Sequence, residues 1–193
     1  FPSKTLDEYP PEHLEYIKLG EKNEVNHGYK CSIRDQWYVV PSIWIPDAFF
    51  LRRNNLYPKF VLNKCGAIST DTMHRMKINE GIDEETLLLS YYNSISFAFT
   101  EVCGRSYGGG VLEILPGEMG NIMLPVIKEF PINKKKDLLK KIDTIVREGR
   151  NIEDALDLVD EAVLVGHLGL ERELCISCRN IWKKLQRRRL GRG

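Results

Sequence analysis

The sequence predicts an α+β protein: a small mixed, curved β-sheet with a helix packed on it, followed by a C-terminal helical unit. Three observations carry that expectation. Short aromatic and β-branched runs, broken by Pro, Asn and Gly, fill residues 37–63 and read as strands. One long stretch of helical period, 84–103, separates them from a later strand signal. From Asn133 onward only helical patterns remain.

Residues 1–28 are polar, carry Pro2, Pro10 and Pro11, and read as a lead-in with a short helix over 12–19. An α/β unit over 29–130 follows. Within it Trp37–Pro41, Ala48–Leu51 and Lys59–Asn63 are strand candidates, each bounded by turn-forming residues. Ala67–Ile78 continues extended, with a turn at Thr70-Asp71-Thr72. Glu84–Cys103 is a helix: Asp83 is a good N-cap, and Leu88, Tyr92, Ile95, Phe99 and Val102 recur at helical spacing. Gly104 ends it. Val111–Leu115 is a strand stopped by Pro116-Gly117, and Ile122–Val126 is extended again. The helical unit, 131–193, opens with Lys134–Glu148, capped by Asn133 and ended by Gly149. Ile152–Leu164 follows, capped by Asn151. The last helix, 170–190, sets Leu174, Ile181, Trp182 and Leu185 on one side. Glu153, Asp154, Asp157, Asp160 and Glu161 make the middle helix acidic, and Lys183, Lys184, Arg187, Arg188, Arg189 and Arg192 make the tail basic. That tail either binds phosphate or keeps the terminus solvated.

Composition narrows the class. With 193 residues, 42% hydrophobic and 28% charged, the chain can bury a substantial core. A net charge of +1 argues against a wholly basic nucleic-acid binder but leaves room for a local basic face. No apolar run reaches the roughly 20 residues of a membrane span, and the opening FPSKTLDEYPPEH has no signal-peptide core. Five scattered cysteines fit a reducing cytoplasm. The chain begins with Phe and reads as a piece of something longer.

The densest motif is GRSYGGG, 104–110, with four glycines behind and after an Arg, a Ser and a Tyr. A P-loop or a dinucleotide fingerprint needs a helix after the glycines, whereas here the helix comes first and a strand follows. Two readings remain. Either this is a tight helix-to-strand connection, or it is a close approach of backbone to nucleic acid. In the second, Arg105 and Ser106 reach phosphate or base edges and Tyr107 contacts sugar or base. A second collection, Lys30, Arg34, Arg52, Arg53, Asn54, Asn55, Asn63, Lys64, His74, Arg75 and Lys77, lies at or between the strand candidates. Arg and Asn suit bidentate contacts with guanine and adenine; the alternative is a solvated face. Cys175 and Cys178 have C-x-x-C spacing without a second ligand pair, so they read as buried neighbours on a helix rather than a zinc site. No catalytic constellation stands out.

The strings EYIKLGEKNEVNHGYKCSIRDQWYVVP (15–41), PDAFFLRRNNLYPKFVLN (46–63), STDTMHR (69–75) and LLLSYYNSISFAFTEVCGRSYGGGVLEILPGEMGNIMLPV (87–126), with the WKKLQRRRLGRG end, carry a resemblance. Together they resemble the C-terminal target recognition region of bacterial adenine-specific DNA methyltransferases of restriction–modification systems. The resemblance implies that an S-adenosylmethionine-binding catalytic domain, with an Asn-Pro-Pro-aromatic loop, precedes this region and methylates a flipped adenine. Neither that loop nor a cofactor is expected within these residues, so the chain alone is expected to be inactive. It also implies duplex DNA as partner. The alternative, from the charge pattern, is a protein–protein docking module in which the acidic and basic helices after Asn133 join a restriction endonuclease or second subunit. Residues 29–130 become the DNA-reading domain. The implied DNA-binding set is Lys30, Arg34, Trp37, Arg52, Arg53, Asn54, Asn63, His74, Arg75, Arg105, Ser106, Tyr107, Gly108, Gly109 and Gly110.

Overall fold

Ala48-Phe49-Phe50-Leu51 is a short apolar run behind Pro46. In the computed structural model, which describes residues 4–70 and 72–191, it forms β1 (Ala48–Leu51). Asp71, Arg192 and the first three residues lie outside the described residues, and with them the centre of the expected turn at 70–72 and the end of the basic tail. By contact density the chain divides into two units, Phe1–Trp44 and Ile45–Gly193.

The first unit holds α1 (Pro11–Lys22) and α2 (Tyr29–Ser32). Pro11 starts α1 at the position where its missing N–H costs nothing. The expected strand at 37–41 is absent; the segment is a turn. Trp37 explains why: its indole N–H donates to Glu21 Oε1 at 3.3 Å, and its ring lies against Gly20, where a Cβ would come within 2.3 Å of it. Aromatic residues here serve packing on a helix, not a strand ladder.

In the second unit β1 is the centre of a three-stranded antiparallel sheet, with β3 (Phe60–Leu62) on one side and β4 (Met73–Met76) on the other. The chain leaves this sheet at Arg52 and enters a second one through β2 (Arg53–Asn54). There β6 (Val111–Glu113) lies between β2 and β5 (Arg105–Tyr107), again antiparallel. The α+β class holds, with the strands shared between two small sheets.

The expected helix 84–103 is two helices, α3 (Glu84–Tyr91) and α4 (Ser94–Cys103). Asp83 caps the first, accepting from the Thr86 N–H at 3.0 Å. Asn93 breaks the run: its amide donates to Ser90 O at 2.6 Å, and its oxygen accepts from the Ser96 N–H at 2.9 Å. A side chain that bonds backbone this way competes with helix continuation. The break resets the helical phase. Phe99 and Val102, which mark the expected helical spacing, are exposed, while Leu89, Tyr91, Phe97 and Ala98 are buried. Further on, Pro116 opens the short helix α5 (Pro116–Met119) instead of a simple stop, and 122–126 is irregular.

Helix α6 (Ile132–Arg147) takes Pro131 rather than the expected Asn133 at its N-cap, starts one residue before Asn133, and buries Leu138, Ile142 and Ile145 at helical spacing. Asn151 caps α7 (Ile152–Val159), which continues as one π-helical segment, Asp160–Val165. The last helix, α8 (Arg172–Leu190), buries Cys175, Trp182 and Arg189, whereas Leu174 and Ile181 are exposed. The core runs across Pro131: Leu138, Ile142, Leu156 and Trp182 share one apolar cluster with Phe50, Phe60, Tyr91, Phe97 and Leu112. Trp182 meets Phe97 edge-on at 5.3 Å between ring centres.

Candidate nucleic-acid interface

The glycine motif is a helix-to-strand connection and a hairpin in one. Gly104 lets α4 turn directly into β5, because a Cβ there would lie 2.7 Å from Leu112 Cδ1. Its φ of −75° needs no glycine, so close packing is the reason for it. Gly109 and Gly110 both have φ of 73° and close the β5–β6 hairpin. A Cβ on Gly110 would also lie 3.0 Å from Leu190 Cδ2. Gly108 needs neither: its φ is ordinary and nothing stands within 4 Å of the missing Cβ.

Register then sorts the side chains. Arg53 and Arg105 both pair with Glu113, so the three form a row across one face of the sheet. Tyr107, two residues from Arg105, shares that face. The alternate residues, Asn54, Leu112 and Ser106, point the other way, and the first two are buried.

Glu113 organises the outer face although it is only 5% exposed. It accepts from Arg52 Nε at 3.0 Å and from Arg53 Nε at 3.1 Å. Burial pushes its carboxyl up, but bonds from Arg53 and Tyr107 and the charges of Arg52 and Arg53 outweigh this and hold it below the usual carboxylate range. Glu118 does the same for Arg105, pairing with its Nε. The Leu115 N–H, donating to Glu118 at 2.8 Å, is the main cause of its lowered pKa, with Arg105 adding to it. All three arginines are therefore held through Nε. Tyr107 also bonds to the Arg105 guanidinium and to Glu113, so it ties the row together. The side chains of Arg52, Arg53 and Arg105 remain 37%, 72% and 58% exposed. A guanidinium fixed at Nε presents its Nη pair as a fork, the geometry that matches phosphate or guanine.

The turn is held from behind by a residue that a simple count of basic tail charges hides. Arg189 is buried and paired in fork fashion with buried Glu101, at 2.7 and 3.3 Å. Its Nη1 also donates to Asn55 O at 2.6 Å and to Gly110 O. Cys175, Trp182 and Arg189 recur every seven residues, and that period was the available signal. Glu113 had a signal too: an acid inside the expected apolar strand Val111–Leu115 needs a partner.

The other expected contacts fall elsewhere. Asn54 spends its amide on its own loop, donating to Leu51 O at 2.8 Å and accepting from the Lys59 N–H at 3.2 Å. Asn63 ties Pro46 O and Ala67 O, at 2.8 and 2.9 Å. His74 Nε2 meets Ile114 O at 2.6 Å, joining the two sheets. Arg75 is half-buried on β4 opposite Phe49. Lys30, Arg34 and Trp37 belong to the first unit; Lys30 is exposed on α2, and Arg34 donates to Trp37 O at 3.3 Å. The acidic residues of α7 are largely matched within the unit: Asp157 and Asp160 each lie 3.0 Å from Arg179 Nη2, and Glu153 pairs with Lys183 at 2.8 Å. Cys175 is buried and Cys178 half-buried on α8. Among the described residues no group of three metal-ligating side chains occurs, and no helix is long and apolar enough to cross a membrane.

Fold and site together define an α+β domain with an acid-anchored arginine face on its smaller sheet. The family described as Type II methyltransferase M.Eco57I, C-terminal domain, matches residues 1–164. The chain belongs to this family, and it is a C-terminal region of a restriction–modification methyltransferase. No curated protein and no solved structure matches it.

Proposed function

We propose that this chain is the DNA sequence-reading module of a site-specific adenine methyltransferase. S-adenosylmethionine and the methyl transfer belong to an N-terminal catalytic domain. Flipping a base costs a few kcal/mol of unstacking, so such an enzyme needs extensive contacts around its target. The observation that carries the reading is the Arg52, Arg53 and Arg105 trio, each anchored at Nε by a glutamate while its side chain stays more than a third exposed. Anchored forks carry less ordering cost than free ones, which suits base reading more than simple charge attraction.

The test is guanidinium by guanidinium, in the full-length protein. Replacing Arg53 or Arg105 by Ala should cost about 1–3 kcal/mol on the cognate duplex and far less on unrelated DNA. Lys should not restore a base contact. Unchanged affinity on every duplex for both Ala variants would remove this face from the DNA and favour the other reading, a surface that docks a restriction endonuclease or second subunit.

A further inference from the structure

We infer that the last turns of α8 form a phosphate-binding edge beside the glycine turn, through Lys184, Arg187 and Arg188. The inference rests on the DNA-reading function proposed above and extends it to residues beyond the matched family region, which ends at 164. Three observations support it.

First, α8 cannot rotate freely. Arg189 is locked inward on Glu101, Asn55 O and Gly110 O. Successive helical residues are about 100° apart, so this lock decides where the neighbours of Arg189 face. Arg188 borders a cleft of about 280 Å³ with Ser106 and Gly104 of the glycine motif, on the side of the small sheet away from Arg53 and Arg105. Secondly, Lys184, Arg187 and Arg188 are three and four residues apart, on one side of the helix, and all are exposed. Thirdly, they are unlike the other cations of the site. Arg52, Arg53 and Arg105 are each anchored by a glutamate, and Lys183 by Glu153. Among the described residues, no carboxylate lies within ion-pair distance of Lys184, Arg187 or Arg188. Cations without an anchoring partner lack a fixed fork, and their attraction is to charge rather than to a base edge. The two groups therefore divide the work: anchored arginines read, and the α8 edge holds the strand backbone.

Binding of the full-length protein to cognate and unrelated duplexes, measured across a salt series, tests this. The K184A/R187A/R188A variant should lose affinity by a similar factor on both duplexes, and its log–log salt slope should fall by up to about 0.9 for each phosphate contact removed. The K184R/R187K/R188K variant, which keeps the charge, should bind like the parent. Melting of each variant guards against a loss of fold. A triple Ala variant that melts normally and keeps the parent slope overturns the inference while leaving the Arg52, Arg53 and Arg105 reading intact. A loss confined to the cognate duplex also overturns it. A parent protein that shows no salt-dependent duplex binding at all ends both.

Discussion

At the scale of single residues, the glycines of GRSYGGG separate into distinct jobs, and substitutions can tell them apart. Gly110 has φ of 73° and abuts Leu190, so Gly110→Ala should destabilise the protein by at least about 1–2 kcal/mol, seen as a lower melting temperature. Gly108 has an ordinary φ and empty space around it, so Gly108→Ala should change stability by no more than about 0.5 kcal/mol. If the duplex backbone approaches this turn, the same substitution should still weaken DNA binding. A Gly108→Ala protein with parental stability and parental affinity would leave the glycine without a role in recognition. Glu113 allows a complementary test. Glu113→Gln removes the charge that orients Arg52 and Arg53. Affinity for unrelated DNA should hold or rise, because the face gains positive charge, while discrimination between cognate and unrelated duplexes should fall. Discrimination equal to the parent's in a competition assay would show that the anchoring does not matter.

At the scale of elements, α4 and α8 decide how the site is built. Buried Ser94, Ser96 and Thr100 on α4 leave room for α8 to approach, and each hydroxyl is bonded. Trp182 fills the interface. Trp182→Ala should cost about 3–5 kcal/mol. Trp182→Phe should cost much less, because among the described residues the buried Trp182 Nε1 has no hydrogen-bond partner, and its removal relieves about 1–3 kcal/mol of desolvation. Thermal melting of the two variants measures the difference; equal losses would contradict it. Sequence pattern reached these elements unevenly. Helix caps at Asp83 and Asn151 were legible because a short polar side chain before an apolar-periodic run has one main use. The break at Asn93 was not, because apolar residues on both sides of it satisfy one helical period when counted through it. Strand runs at 48–51 and 60–62 were legible from β-branched and aromatic density, while the similar run at 37–41 folds onto α1 because Gly20 leaves a socket for Trp37. Arg105 was legible as an exposed cation at the end of a helix. The acid that aims it was not, because Glu118 reaches it across thirteen positions, beyond any local rule.

At the scale of the whole molecule, the matched charges set the response to acid. Asp47, held down chiefly by the Ile78 N–H, Asp83, by Lys135, and Glu118, by the Leu115 N–H, all titrate below their ordinary values of 3.8 and 4.5. Each contributes stability that is present above its ordinary value and lost as pH falls through the folded one. Asp160 has the opposite sign: burial raises its pKa above 3.8 against the pull of Ser94 and Arg179, so protonation there relieves a cost. The lowered carboxyls outnumber it, and the melting temperature should fall steadily below about pH 4.5. A flat or rising profile there would contradict this assignment. The central claim concerns one face of one small sheet, and photocrosslinking of the full-length protein to its duplex tests it most directly. A photoreactive side chain at Tyr107, on the arginine face, should crosslink to DNA. One at Val61, exposed on the other sheet, should not. Crosslinks from 61 and none from 107 would place the DNA on a different surface and remove the anchored arginines from recognition.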